Sequence, residues 1–160
     1  MVGSRKLPKF LRAILPGVFL FGTFVGTCVA PGPGPEPPAN EREPRAECYI
    51  RGRLGFWQRR LQLQDWTISI VMSHRGDLRD GTLGNIRWDV DKKKAVIRVL
   101  DAAEYNTSFD SMVRDMEFTV VHELIHLELA SLPRSEASRS DEEHAVNRLA
   151  DALLLAERRD

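Results

Sequence analysis

Between Ser108 and Pro133 apolar residues recur on two sides of a helical wheel. Phe118, Val121, Ile125 and Leu129 form one stripe, and Met112, Met116, Val120, Leu124 and Leu127 form another. A helix that is apolar on a single stripe lies on a surface, whereas one apolar on two sides must be packed on both. This stretch therefore has to run through the middle of the fold, with other elements arranged around it. Ser108 is a candidate N-cap, and Pro133 closes the helix.

The flanking segments supply what such a helix needs. Ile50, Leu54, Trp57 and Leu61 recur at helical spacing, which predicts a first amphipathic helix from near Glu47 despite Gly52 and Gly55. Trp66 to Met72 alternates, with Trp66, Ile68, Ile70 and Met72 on one face, and reads as a strand. Asp80-Gly81 marks a turn before a second strand over Leu83 to Asp89. Asp91-Lys92-Lys93 then turns the chain into Ala95 to Leu100, so the last two strands form a hairpin. Ser135 to Ser140 is a polar loop, and Asp141 to about Glu157 is a final helix. The expected class is α+β, a small sheet with helices packed on one face. Trp57, Trp66 and Trp88 read as packing residues, and Lys92-Lys93-Lys94 as a solvated hairpin tip.

Residues 1–30 have a different character. Arg5, Lys6, Lys9 and Arg12 precede Ala13 to Ala30, a stretch without charge and rich in Phe, Val, Leu and Gly. This pattern predicts an export signal, giving a periplasmic or extracellular protein. Three exits fit it: cleavage after Cys28-Val29-Ala30, lipid anchoring at Cys28 within a bacterial lipoprotein-like box, or an uncleaved membrane anchor. A start assigned too early would instead leave a cytoplasmic protein. Residues 31–46 hold Pro31, Pro33, Pro35, Pro37, Pro38 and Pro44, and are expected to be an extended linker. The folded domain is then 47–160. The leader's four cations leave 19 Lys+Arg against 23 Asp+Glu in the remainder. That acidic balance excludes a sequence-independent nucleic-acid binder, which needs a basic footprint. With Cys28 in the leader and Cys48 in the domain, no structural disulfide is expected.

Inside the central helix sits His122-Glu123-Leu124-Ile125-His126, an HExxH sequence. Residues four apart share a helix face, so the two imidazoles can hold one Zn2+ from a rigid platform. Glu123 lies beside them as candidate general base for water acidified by the metal. Histidines on a helix otherwise lined by Val, Leu, Ile and Phe also need partners for their ring nitrogens. The reaction this pattern predicts is hydrolysis of peptide bonds, with a protein or peptide as substrate. The competing reading is a non-catalytic zinc-binding module that uses the same fold to engage a protein, but zinc binding alone does not require Glu123.

A catalytic zinc needs a third protein ligand. The longer motif, with glycine three and histidine six residues after the second histidine, is excluded because Leu129 and Leu132 stand there. Glu142, Glu143 and His144 in the last helix are the candidates. Glu143, Asn147, Ala150 and Leu154 form one stripe, which favours Glu143 as ligand, with Asn147 buttressing a histidine. Glu142 shares a face with Val146, Leu149 and Leu153 and reads as a core contact, and His144 as exposed. The alternative for Glu143 is structural: Ser140 to Glu143 matches a capping box.

The run Thr119-Val120-Val121-His122-Glu123-Leu124-Ile125-His126-Leu127, followed by Glu143-His144-Ala145-Val146-Asn147-Arg148-Leu149-Ala150, resembles the small one-domain gluzincins. These minigluzincins include the ImmA/IrrE-type and SprT-like peptidases. The second stretch is similar to the Glu-x-x-Ala-Asn-x-x-Ala pattern of the ImmA/IrrE type, with Val146 in place of the first alanine. The resemblance implies a zincin-like fold with the motif on its central helix, and Glu143 as third zinc ligand. It also implies an edge strand that takes substrate in extended form, here Leu83 to Trp88 or Ala95 to Leu100. Gluzincins use a Tyr, His or Arg to stabilise the oxyanion, and Tyr105 and His74 are the candidates. An export leader departs from the cytoplasmic ImmA/IrrE-type proteins, and the SprT-like basic surface and zinc ribbon are missing.

Overall fold

A computed structural model describes residues 36–133 and 138–159. Six main elements follow in order: α1 (Ala39–Arg60), β1 (Thr67–Ser73), β2 (Gly84–Asp89), β3 (Lys94–Leu100), α2 (Phe109–Glu128) and α3 (Arg139–Glu157). The class is α+β, with three helices and a small mixed sheet.

The sheet has the order β1-β3-β2. β3 is central, parallel to β1 (Ile70 opposite Ile97) and antiparallel to β2 (Ile86 opposite Ile97). The alternation read from the sequence assigns its two faces. Ile70, Ala95, Ile97 and Val99 are buried against the helices, while Val71 and Val96 on the opposite face are 45% and 38% exposed. At the hairpin tip the Asp89 carboxylate accepts from the Lys92 backbone N–H (3.0 Å) and Nζ (2.7 Å). Lys93 takes the positive φ of 50° that a tight return requires.

α2 runs through the middle, as its two apolar sides demand: twelve of its twenty residues are buried. Ser108 caps it, its Oγ accepting from the Ser111 N–H at 3.3 Å. The helix passes so close to β2 that a Cβ on Gly84 would lie 2.4 Å from Thr119 Cγ2 and 2.6 Å from the Arg98 carbonyl oxygen. Glycine is required there for close approach, which brings an edge strand against the helix that carries the motif.

A buried carboxylate joins the three helices. Glu117 of α2 is 4% exposed. It accepts from Tyr49 Oη (2.7 Å), Trp57 Nε1 (2.7 Å) and the Arg53 guanidinium, which also pairs with Glu157 of α3 (2.7 Å). With its oxygens saturated by donors, Glu117 can remain in the core.

Two boundaries and one covalent bond differ from the sequence reading. α1 starts at Ala39, inside the stretch 31–46 expected to be an extended linker, and contains Pro44. Pro44 is exposed and one turn from the helix start, where water can serve the carbonyl it leaves unpaired. Ala46 is fully buried, and Glu36 accepts from the Phe109 N–H at 2.8 Å, so this segment packs against the start of α2. α3 starts at Arg139, before the Asp141 expected, with Ser138 as N-cap and no side-chain capping bond, so the capping box that was the alternative reading of Ser140 to Glu143 does not form. Cys48 is half of a disulfide, where none was expected. Cys28 and the expected leader 1–30 lie outside the described residues. Among the described residues no helix is long and apolar enough to cross a membrane.

Candidate metal centre

His122 and His126, one turn apart on α2, point to the same place, with ring centroids 4.7 Å apart and Nε2 atoms 3.0 Å apart. α3 crosses α2 on the stripe that buries Val146, Ala150 and Leu154, and this docking carries Glu143 to the same point. Its Oε2 lies 3.3 Å from His122 Nε2 and its Oε1 3.4 Å from His126 Nε2. One donor atom from each of the three residues falls within 4.8 Å of the others.

The far side of each ring is also held. His122 Nδ1 lies 3.0 Å from Asn147 Oδ1, and His126 Nδ1 lies 3.0 Å from Glu142 Oε1. Both partners are acceptors, so each Nδ1 carries the proton and each Nε2 presents its lone pair. Two lone pairs and a carboxylate then converge without a donor among them. Such a constellation repels itself unless a cation sits in it, so the residues fit a metal ion with the borderline-soft N/O donors of a three-ligand site. Burial, then the neighbouring His126, lowers the His122 pKa and favours the neutral imidazole that a ligand must be.

Glu123 follows His122 and is 7% exposed. Burial, then the charge of Glu143, pushes its pKa up to about 7. A carboxylate poised there can take and return a proton near neutrality.

These residues line a cleft of about 810 Å³. His122, Glu123 and His126 lie on one side of it, Glu142, Glu143 and Asn147 on another, and Gly84, Asn85, Ile86 and Trp88 of β2 on a third. The sheet order sets the two strands Leu83 to Trp88 and Ala95 to Leu100 apart. Among the described residues β3 is paired on both sides, whereas β2 pairs only with β3 and borders the cleft.

Other sequence candidates stand apart. Tyr105 is not among the cleft residues. Its hydroxyl is buried without a partner among the described residues, and burial, then the charge of Asp115, raises its pKa to about 12. His74 is also outside the cleft, its Nδ1 3.1 Å from Glu104 Oε1 and its side chain 76% exposed. His144 is exposed, as expected. Glu142, read as a core contact, instead holds His126. Its face does carry the buried Val146, but Leu149 on that face is 50% exposed. A signal for this was present: a carboxylate near a buried face needs a donor, and the second ring nitrogen of His126 needed an acceptor.

No protein-family profile, curated protein or solved structure matches this chain.

Proposed function

We propose that the protein is a zinc-dependent metallopeptidase of zincin-like fold that hydrolyses peptide bonds. The observation that carries this reading is the convergence of His122, His126 and Glu143 beside Glu123, in a cleft walled by an edge strand. Zn2+ held by those three residues supplies Lewis acidity, acidifying water and polarising a peptide carbonyl. Glu123 takes the proton from the water nucleophile and delivers it to the amide nitrogen as the C–N bond breaks. Asn147 and Glu142 keep the two imidazoles in the ligand tautomer. The outer edge of β2, unpaired among the described residues, offers backbone donors and acceptors to an extended peptide, a binding mode that needs no particular side chain. The leader pattern of residues 1–30 supports export, and a secreted or surface-anchored site of action.

The test uses the full chain purified with Zn2+. We expect one equivalent of zinc, lost in His122→Ala, and cleavage of peptides from a mixed library. Glu123→Gln is expected to keep the zinc and abolish cleavage. A zinc-loaded wild type that cuts no peptide or protein overturns the enzymatic reading.

A further inference from the structure

Two arginines are among the residues that line the cleft, Arg79 and Arg139. Arg79 stands in the turn before β2, where its carbonyl accepts from the Thr82 N–H (3.0 Å) and Oγ1 (2.8 Å). Its backbone is therefore held by the turn, and its side chain takes no part in that bonding. Arg139 opens α3 one turn before Glu143, on the same side of the helix. The two reach the cleft from different walls, one from the sheet side and one from α3.

Neither side chain has an ion-pair or hydrogen-bond partner among the described residues. The acids of the cleft, by contrast, belong to the candidate metal centre. Glu142 accepts from His126, Glu143 lies against both Nε2 atoms, and Glu123 is buried. Arg139 also stands against its local preference. A cation in the first turn opposes the helix macrodipole, whereas Asp141 and Glu142 of the same turn suit it. A residue that breaks a local rule without a structural gain marks a place where function outweighs stability.

Arginine stays charged throughout the working pH range and pairs with a carboxylate through two parallel hydrogen bonds. A polyanion is disfavoured, because residues 31–160 carry 19 cations against 23 acids and repel it as a whole. A single carboxylate can pair with the two cations at the end of the cleft they occupy while the three acids are taken up with the histidines and the metal. We propose that Arg79 and Arg139 form a carboxylate-recognising subsite, which selects peptides bearing an acidic side chain or a free C-terminal carboxylate. Its role in cleavage rests on the peptidase reading, but its role in binding does not.

The test separates the two. Zinc-loaded Glu123→Gln protein is titrated with fluorescent peptides of one length, carrying Glu, Gln or Lys at each position in turn. Each peptide is made with a free and with an amidated C-terminus. Charge-assisted pairing predicts about 10-fold tighter binding of the carboxylate-bearing peptide than of its neutral isostere. A preference lost on amidation assigns the C-terminus, and one that survives it assigns the acidic side chain. Arg79→Gln and Arg139→Gln are each expected to reduce the preference, and the double variant to bring the ratio to one, with zinc content and melting temperature at the parent values. Equal affinities for all peptides, no peptide binding, or a preference intact in the double variant overturns the subsite. Cleavage by the wild type without acidic preference sinks the subsite and spares the peptidase, whereas preference without cleavage does the reverse.

Discussion

Replacing Glu123 by glutamine in the metal-free protein removes one ionisable group and nearly nothing of its volume, so the change isolates the cost of ionising a buried carboxyl. Glu123 is 7% exposed, and burial, then Glu143, raises its pKa from 4.5 to about 7. The unfolded chain sheds this proton near pH 4.5 while the native state keeps it. The contribution to stability is therefore fully present below pH 4.5 and is lost as pH rises to about 7. About 2.5 pK units at 1.36 kcal/mol each make that loss about 3 kcal/mol. His122 acts in the opposite sense, since its lowered pKa adds stability as pH rises toward 6.5. The useful quantity is thus the difference between wild type and Glu123→Gln, from urea unfolding in chelator at several pH values. We expect the difference to be near zero at about pH 4.5 and to reach about 3 kcal/mol in favour of the glutamine variant by about pH 8. Zn2+ should shrink that gain, because a nearby cation favours the carboxylate. Parallel stability curves for the two proteins refute the perturbed carboxyl and with it the base near neutrality.

Glu142→Ala and Asn147→Ala are each expected to weaken Zn2+ binding about 10- to 100-fold in chelator competition, and Glu143→Ala to weaken it more. Wild-type affinity in Glu142→Ala contradicts its hold on His126. Gly84→Ala should destabilise by about 1–3 kcal/mol in urea unfolding, because the new methyl meets Thr119 Cγ2 and the Arg98 carbonyl oxygen. An unchanged midpoint rules out the close approach of β2 and α2. Glu117→Ala leaves the Trp57 N–H in the core without its acceptor and Arg53 with Glu157 as its remaining partner, and should cost about 3–5 kcal/mol. A loss under about 1 kcal/mol would show that water replaces the carboxylate at no great cost.

The elements that depend on local pattern were legible in the chain itself. Ser108 opens α2 because its hydroxyl reaches a backbone N–H three residues on, and the β2–β3 hairpin follows from the turn at 90–93 and the alternation on either side. The start of α1 was not legible. Pro44 argues for a linker by composition, yet Ala46 is buried and Glu36 caps α2 from a distance in sequence that no local rule spans. Nor was the clasp at Glu117, whose donors lie 60 to 68 residues away.

The same division runs through the site. His122, Glu123 and His126 belong to one helical turn, so their sharing of a face was decided by 3.6 residues per turn before any packing. For the third candidate donor the stripe on α3 favoured Glu143, but its position beside the histidines was decided by packing. Spacing on α3 left Glu142 and Glu143 adjacent, about 100° apart around the helix. Only the docking of Val146, Ala150 and Leu154 against the neighbouring helices turns Glu143 to both Nε2 atoms and Glu142 to the Nδ1 of His126. Which strand borders the cleft was likewise a matter of sheet order, and Gly84 lets it come close. A helix face repeats with sequence, so a sequence can declare it; the angle at which two faces meet depends on every side chain between them.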